Sequence, residues 1–239
     1  MKTLLKNVIA LLWMLSCLVF LTRGDRWTTT AQSTGLVAAY GFEEGAGAAA
    51  SDSSGNGHTG AITGATWSSF GRFGSALQFN GTTSGVTISD AASLDLTTGM
   101  TLEAWVYPTV APADWRAVVG KDVDRYYLMA GSGNNVPAVG GTWTVGGNAN
   151  LYAPSALAVN TWTHLAATFD GAAVRLFVNG VQVATRAQSG ALTTSTNPLT
   201  IGHNFYGERF TGLIDEVRVY NRALSVAEIQ ADMSAPVQP

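Results

Sequence analysis

The sequence predicts an all-β fold, a two-sheet antiparallel jelly-roll sandwich closed by one short C-terminal helix. Three observations carry this. Apolar residues recur at a spacing of two along many short segments, turn residues separate those segments, and no internal stretch shows the helical period. Strands are expected at Leu36–Phe42, Ala76–Phe79, Val86–Ile88, Thr101–Tyr107, Ala117–Gly120, Tyr126–Ala130, Trp162–Phe169, Val174–Val178, Val181–Thr185, Leu199–Gly202 and Leu213–Tyr220.

In chain order, Lys2 and Lys6 precede an apolar run from Val8 to Leu21, followed by polar sequence. That is the pattern of a secretory signal peptide, and the run is short of the roughly 20 residues a membrane-spanning helix needs. A signal peptide and leader over 1–31, cleaved near Gly24 or Ala31, is therefore expected, with secretion to an extracellular or periplasmic space. The rival is an uncleaved anchor. A lipoprotein role for Cys17 is disfavoured because Leu18, Val19 and Phe20 continue the apolar run.

Residues 32–239 then form one domain with no cysteine, held by its core or by a metal. Its clearest part is a three-strand meander. WTHLAATF turns through Asp170-Gly171 into VRLFV, which turns through Asn179-Gly180 into VQVAT, and both dipeptides suit tight hairpins. The stretch from Gly131 to Asn160 reads as a long irregular loop, a usual place for binding. Ser225 and Glu228 have the spacing of a capping box, so a helix over Val226–Asp232 is expected before Pro236. Within Leu213–Tyr220, strict alternation puts Asp215 on a face with Leu213, Val217 and Val219. A carboxylate there needs a cation, a guanidinium or several donors, unless a bulge re-aims it.

Charge narrows the partners. From Gln32 onward there are 9 Lys and Arg against 15 Asp and Glu, a net charge of 9 − 15 = −6, and no basic cluster. Nucleic acid and anionic membrane surfaces are thereby disfavoured.

The segments GLVAAYGFEEGAG, DSSGNGHTG, GSALQFNG, TLEAWVYP, WTHLAATFDG with VRLFVNGVQVA, and GLIDEVRVYNRALS occur in this order. Together they resemble the laminin G-like domains of the concanavalin A-like jelly-roll superfamily, from about Gly35 to Met233. The resemblance implies two packed antiparallel sheets in a family of mostly non-catalytic modules that bind glycans or extracellular proteins, sometimes with a structural calcium. Fold does not fix function, so the sites need their own argument.

No catalytic set is expected. A retaining glucanase needs two carboxylates roughly 5 Å apart, which alternating acidic residues on one strand supply. Here Asp215 and Glu216 are adjacent, as are Glu43 and Glu44, and Glu103 stands alone; His58, His164 and His203 are scattered. Flat rings stacking on sugar C–H faces are the usual basis of glycan binding. Trp115, Tyr126, Trp143, Tyr152, Phe205 and Tyr206 lie in or beside expected loops, with Asn204 and Arg209 as hydrogen-bonding neighbours. These are the candidate ligand-binding residues.

The acidic-polar loop from Asp52 to His58 has oxygen side chains and glycines that suit a hard cation. In the resemblance this loop follows the first strand, and the first and last strands of such sandwiches commonly pair. Asp52, Asn56, His58 through its main-chain carbonyl, and Asp215 are therefore expected to hold calcium. The alternative is that Asp52 caps a turn and Asp215 is satisfied by an arginine or by backbone N–H groups. The expected function is a secreted non-catalytic module binding polysaccharide or cell-surface glycan. A protein adhesion module and a cryptic glycoside hydrolase or polysaccharide lyase are the alternatives.

Overall fold

The structure, a computed structural model, describes residues 34–238; the expected signal peptide and leader lie outside the described residues. The strands are β1 (Leu36–Tyr40), β2 (Ala49–Ala50), β3 (Gly60–Thr63), β4 (Thr66–Ser68), β5 (Ala76–Asn80), β6 (Gly85–Ile88), β7 (Met100–Pro108), β8 (Arg116–Lys121) and β9 (Tyr126–Gly131). They continue with β10 (Ala138–Trp143), β11 (Gly147–Tyr152), β12 (Thr163–Phe169), β13 (Ala173–Val178), β14 (Val181–Ala187), β15 (Leu199–Ile201) and β16 (Thr211–Tyr220). One helix, α1 (Val226–Met233), follows. The first sheet runs β14-β13-β12-β7-β16-β5-β4, with β1 also paired to β16, and the second runs β11-β10-β9-β8-β15-β6-β3-β2. The inward faces of both supply one core, in which Tyr40, Phe79, Tyr126, Trp143, Phe169 and Ile201 are buried.

Alternation accounts for most of this. In β9, Tyr126, Leu128 and Ala130 enter the core while Tyr127 and Met129 pack on the outer face. Between residues 131 and 160 the expectation of an irregular loop fails, because β10 and β11 form a hairpin in register from Ala138↔Tyr152 to Trp143↔Gly147. The sequence GNANLY hides this strand. Only Ala149 and Leu151 pack against the core, and the alternate positions carry asparagine.

The two meander turns differ. Asn179 and Gly180 have φ of +50° and +73° and join directly paired Val178 and Val181, as a type I′ turn requires. The other connection spans four residues, since Phe169 pairs with Val174. There the Asp170 carboxylate accepts from the N–H groups of Ala172 and Ala173 at 3.0 and 2.8 Å, and only Gly171, at +86°, has positive φ.

Helix α1 begins at the expected capping box, the Ser225 side chain and the Glu228 side chain each accepting from the other's backbone N–H. Its Ile229, with Leu224, covers Ala166, Phe177 and Tyr220 on the outer face of the first sheet.

Strict alternation breaks in β16. Asp215 pairs with Trp105 of β7 and Arg218 with Glu103, so Glu216 and Val217 together oppose Ala104. This is a β-bulge, with Glu216 at φ +55°. It corrects the expected faces: Ile214, Val217 and Val219 enter the core, and Asp215 and Arg218 lie outward beside Trp105 and Glu103.

Gly180→Val places a β-branched residue at positive φ, where its Cβ would also lie 3.0 Å from Gln230 of α1. Thermal melts should show a loss of about 1 kcal/mol or more, whereas an unchanged midpoint would refute the turn assignment.

Candidate functional site

The residues expected to bind calcium are each held in hydrogen bonds. One oxygen of Asp52 accepts from the N–H groups of Ala39 and Ser54, both at 2.9 Å, and the other from the Ser54 hydroxyl at 2.8 Å and the His58 N–H at 2.9 Å. Asn56 donates its amide to the Val37 carbonyl at 2.8 Å, and the His58 carbonyl accepts from the Tyr40 hydroxyl at 2.6 Å. The loop is thus stitched to β1. Asp215 accepts from the N–H groups of Arg72 at 2.8 Å, Phe73 at 3.1 Å and Glu216 at 2.8 Å. Among the described residues no group of three or more His, Cys, Asp or Glu is arranged to hold a metal.

Of the carboxylates weighed as catalytic, Glu43 and Glu44 are exposed and the other three are enclosed. Glu103, Asp215 and Glu216 are fully buried. Glu216 pairs with Arg218 at 3.0 Å and accepts from the Val237 N–H at 2.5 Å, while Arg218 also donates to the Ala235 carbonyl at 2.7 Å. Burial, with Asp232 adding, pushes Glu103 well above the usual carboxylate range. Burial and the adjacent Glu216 raise Asp215 to about 8 against its backbone donors, and burial raises Glu216 to about 7 against the pull of Arg218. His164, beside Trp105, is lowered to about 3 by burial and by Arg218.

The accessible chemistry collects instead on the outer face of the second sheet. A cleft of about 370 Å³ is lined by Trp115, Asp124, Tyr127, Asn148, Tyr206 and Glu208, with Met129 and Asn150 completing it. Its floor is set by alternation: Tyr127 and Met129 of β9 and Ala117 of β8 form an apolar cluster with Trp115. Trp115 stands 6.4 Å from Tyr127 at 88° and 6.3 Å from Tyr152 at 50°. On β11, Asn148, Asn150 and Tyr152 occupy alternate positions; the Tyr127 hydroxyl donates to Asn150, which donates to the Tyr152 hydroxyl at 3.2 Å. Gly140 is needed beneath them, since a Cβ there would come within 2.4 Å of the Tyr127 hydroxyl.

The far wall is the loop after β15. The Asn204 side chain accepts from the N–H groups of Tyr206 and Glu208, both at 3.1 Å, and donates to the Glu208 carboxylate at 2.5 Å. Tyr206 donates its hydroxyl to Asp124 at 3.1 Å, and the Phe205 N–H donates to Asp122 at 3.2 Å. Asp124 and Glu208 therefore line the cleft, and Asp122 holds the wall through the Phe205 N–H. Burial raises Asp122 and Glu208 above the ordinary carboxylate range, with Asp124 adding to both. Arg116 moderates the rise of Glu208, and its guanidinium donates to the Trp115 carbonyl at 2.7 Å.

Of the residues expected to bind ligand, Trp115, Tyr152, Asn204, Phe205 and Tyr206 come together here. Tyr126 and Trp143 do not: both point into the core, where the Tyr126 hydroxyl meets the Leu94 carbonyl at 2.8 Å. Arg209 donates to the Ser84 carbonyl at 2.8 Å. Sequence reasoning misses Tyr127, Asn148, Asn150, Asp122, Asp124 and Glu208. Tyr127 is recoverable from it, because the neighbour of an inward Tyr126 must point outward.

A family model described as the Concanavalin A-like lectin/glucanases superfamily matches residues 80–230. Domain 4 of AbnA, a GH43 extracellular arabinanase from Geobacillus stearothermophilus, solved in complex with arabinotriose, aligns with a TM-score of 0.69 at 23% identity over 83% of this chain and 98% of that one. The binding domain of Paraclostridial Mosquitocidal Protein 1 aligns with 0.68 at 16% identity, over 83% of this chain and 52% of that one. The receptor binding domain of botulinum neurotoxin C/D mosaic serotype aligns with 0.67 at 10% identity, over 84% and 51%. In sequence, pappalysin-1 of Mus musculus is 36% identical over 77 residues, 30% of this chain; the match spans only 5% of that relative's length. At these identities the structural likeness concerns the fold.

Two outcomes follow for the buried charges. Asp215→Asn leaves one acceptor oxygen for three N–H donors and should cost about 1–3 kcal/mol in urea unfolding; an undiminished stability would contradict the hydrogen bonding described. Asp215 and Glu216, raised to about 8 and 7 from 3.8 and 4.5, bind protons more tightly when folded, so their contribution to stability is lost as pH rises through the folded values. His164 does the reverse, losing its contribution as pH falls from 6.5 toward 3. The melting midpoint should therefore rise as pH falls from 8 to 6.5 and rise more slowly from 6.5 to about 4.5, where the loss at His164 offsets one of the two carboxylate gains, as melts across this range would show.

Proposed function

Because the chain belongs to the Concanavalin A-like lectin/glucanases superfamily, we propose that it is a secreted, non-catalytic module that binds carbohydrate in the cleft on its second sheet. One observation carries this reading: Trp115, Tyr127, Tyr152 and Tyr206 converge with Asn148, Asn150, Asp124 and Glu208 on one open surface. Rings supply planes for the C–H face of a sugar, and the amides and carboxylates accept from its hydroxyls. Export rests on the N-terminal sequence pattern.

The same groups define the class of sugar. Asp122, Asp124 and Glu208 make the wall electronegative, and a uronate or sialate carboxylate would meet repulsion there. Uncharged glycans fit. The arabinanase domain, whose complex is with the neutral sugar arabinotriose, is in keeping with this. Glu103, Asp215 and Glu216 are buried and do not line the cleft.

An array of neutral and acidic glycans tests the reading. The protein should bind a related set of neutral glycans, and Trp115→Ala with Tyr152→Ala should weaken binding about tenfold or more without changing the melt. A blank array would refute glycan binding and transfer the cleft to a protein partner, whereas released reducing sugar would refute the non-catalytic role.

A further inference from the structure

We propose that the outer face of the first sheet carries a second ligand surface, for a sugar bearing a carboxylate, formed by Phe70, Tyr107 and Trp162 beside the guanidinium of Arg72. It lies on the sheet opposite the cleft and does not depend on the reading given to the cleft.

The three rings form one cluster. Phe70 meets Tyr107 edge-on, with centroids 5.4 Å apart at 85°, and Trp162 lies 5.5 Å from Tyr107 and 6.4 Å from Phe70. Phe70 is 56% exposed, and Tyr107 and Trp162 are half-buried, so the cluster presents rings to solvent. Large exposed rings on a sheet face are unusual unless they meet a partner. Helix α1 covers a different part of this face, over Ala166, Phe177 and Tyr220.

Arg72 gives the surface its charge. Its guanidinium stacks 4.4 Å from the centroid of Trp105 and 5.2 Å from that of Phe73. It forms no ion pair among the described residues. The carboxylate beneath it, Asp215, is already taken by three main-chain amides, one of them from Arg72 itself. Trp105 and Tyr107 are alternate residues of β7 and point the same way, about 7 Å apart, so cation and ring cluster lie roughly one sugar unit from each other. A pyranose with its C–H face on Phe70 or Trp162 therefore brings a ring carboxylate within reach of a planar guanidinium suited to bidentate pairing.

The surface is also preorganised. The loop carrying Phe70 and Arg72 is tied down at the Phe70 N–H by the Ser68 hydroxyl at 3.1 Å, at Arg72 and Phe73 by Asp215, and at the Ser75 N–H by Glu43 at 3.2 Å. Little ordering remains to oppose binding. The two faces are then complementary in selectivity, the acidic cleft turning away the anionic sugars that Arg72 attracts.

Titration of the full chain with trigalacturonate at low ionic strength, followed by tryptophan fluorescence, tests this. Saturable binding is expected that weakens with salt and falls about tenfold in both Arg72→Gln and Phe70→Ala, each with an unchanged melt. Trp115→Ala, in the cleft, should leave trigalacturonate affinity unaltered, and neutral galactotriose should not compete. No saturation at millimolar trigalacturonate, or equal affinity in both variants, would overturn the proposal. So would a polyglutamate peptide that binds as tightly with the same dependence on Arg72, since the surface would then read carboxylates without reading sugar.

Discussion

The bulge in β16 is the constraint on which the rest of this structure depends. Strand β16 pairs with β1, β5 and β7, so its register sets the middle of the first sheet. An unbroken alternation would drive Asp215 into the core along with Leu213. Burial of an unsatisfied carboxylate costs several kcal/mol, which would consume much of a small domain's margin. One extra residue at Glu216 removes the conflict. It lets Ile214 enter the core before the bulge while Val217 and Val219 stay in it after the bulge, and leaves Asp215 facing the amides of Arg72, Phe73 and Glu216 itself.

That local solution reaches far. By accepting from Arg72 and Phe73, Asp215 shapes the loop that presents Phe70 and Arg72 to solvent. By placing Arg218 outward, the bulge lets its guanidinium bind Glu216 and the Ala235 carbonyl, which fastens the segment after α1 to the sheet. The Trp105 ring N–H reaches the Met233 carbonyl at 3.3 Å and adds to this seam. The described domain contains no cysteine, and its C-terminal segment is held by these hydrogen bonds together with the small apolar cluster under Ile229.

The second sheet shows how one fold separates stability from recognition. Along β9 the inward tyrosine, Tyr126, is consumed by the core and a single carbonyl, while the outward one, Tyr127, keeps its ring for the cleft. Along β11, Ala149 and Leu151 are the only inward contributions, which frees Asn148, Asn150 and Tyr152 for the surface. Weak packing on one face is what permits a polar, aromatic binding face on the other.

By itself the sequence determined whatever depends on near neighbours. The alternating strands, the Asn179-Gly180 turn and the Ser225–Glu228 capping box are properties of a few consecutive residues, and each is where the sequence places it. The ordered segments resembling laminin G-like domains pointed to the family for the same reason, being short local patterns repeated along the chain. Tertiary structure decided what depends on pairing between distant residues. Whether Asp215 meets a cation or backbone amides is set by residues 142 and 143 positions earlier; whether Trp143 is a loop aromatic or a core one is set by the pairing of β10 with β9 and β11. The cleft gathers side chains from β8, β9, β11 and the loop after β15, and no window along the chain contains them together. Propensity and spacing act over a few residues, whereas a binding surface on a sandwich is made by register, and register is fixed only when two sheets close on a common core.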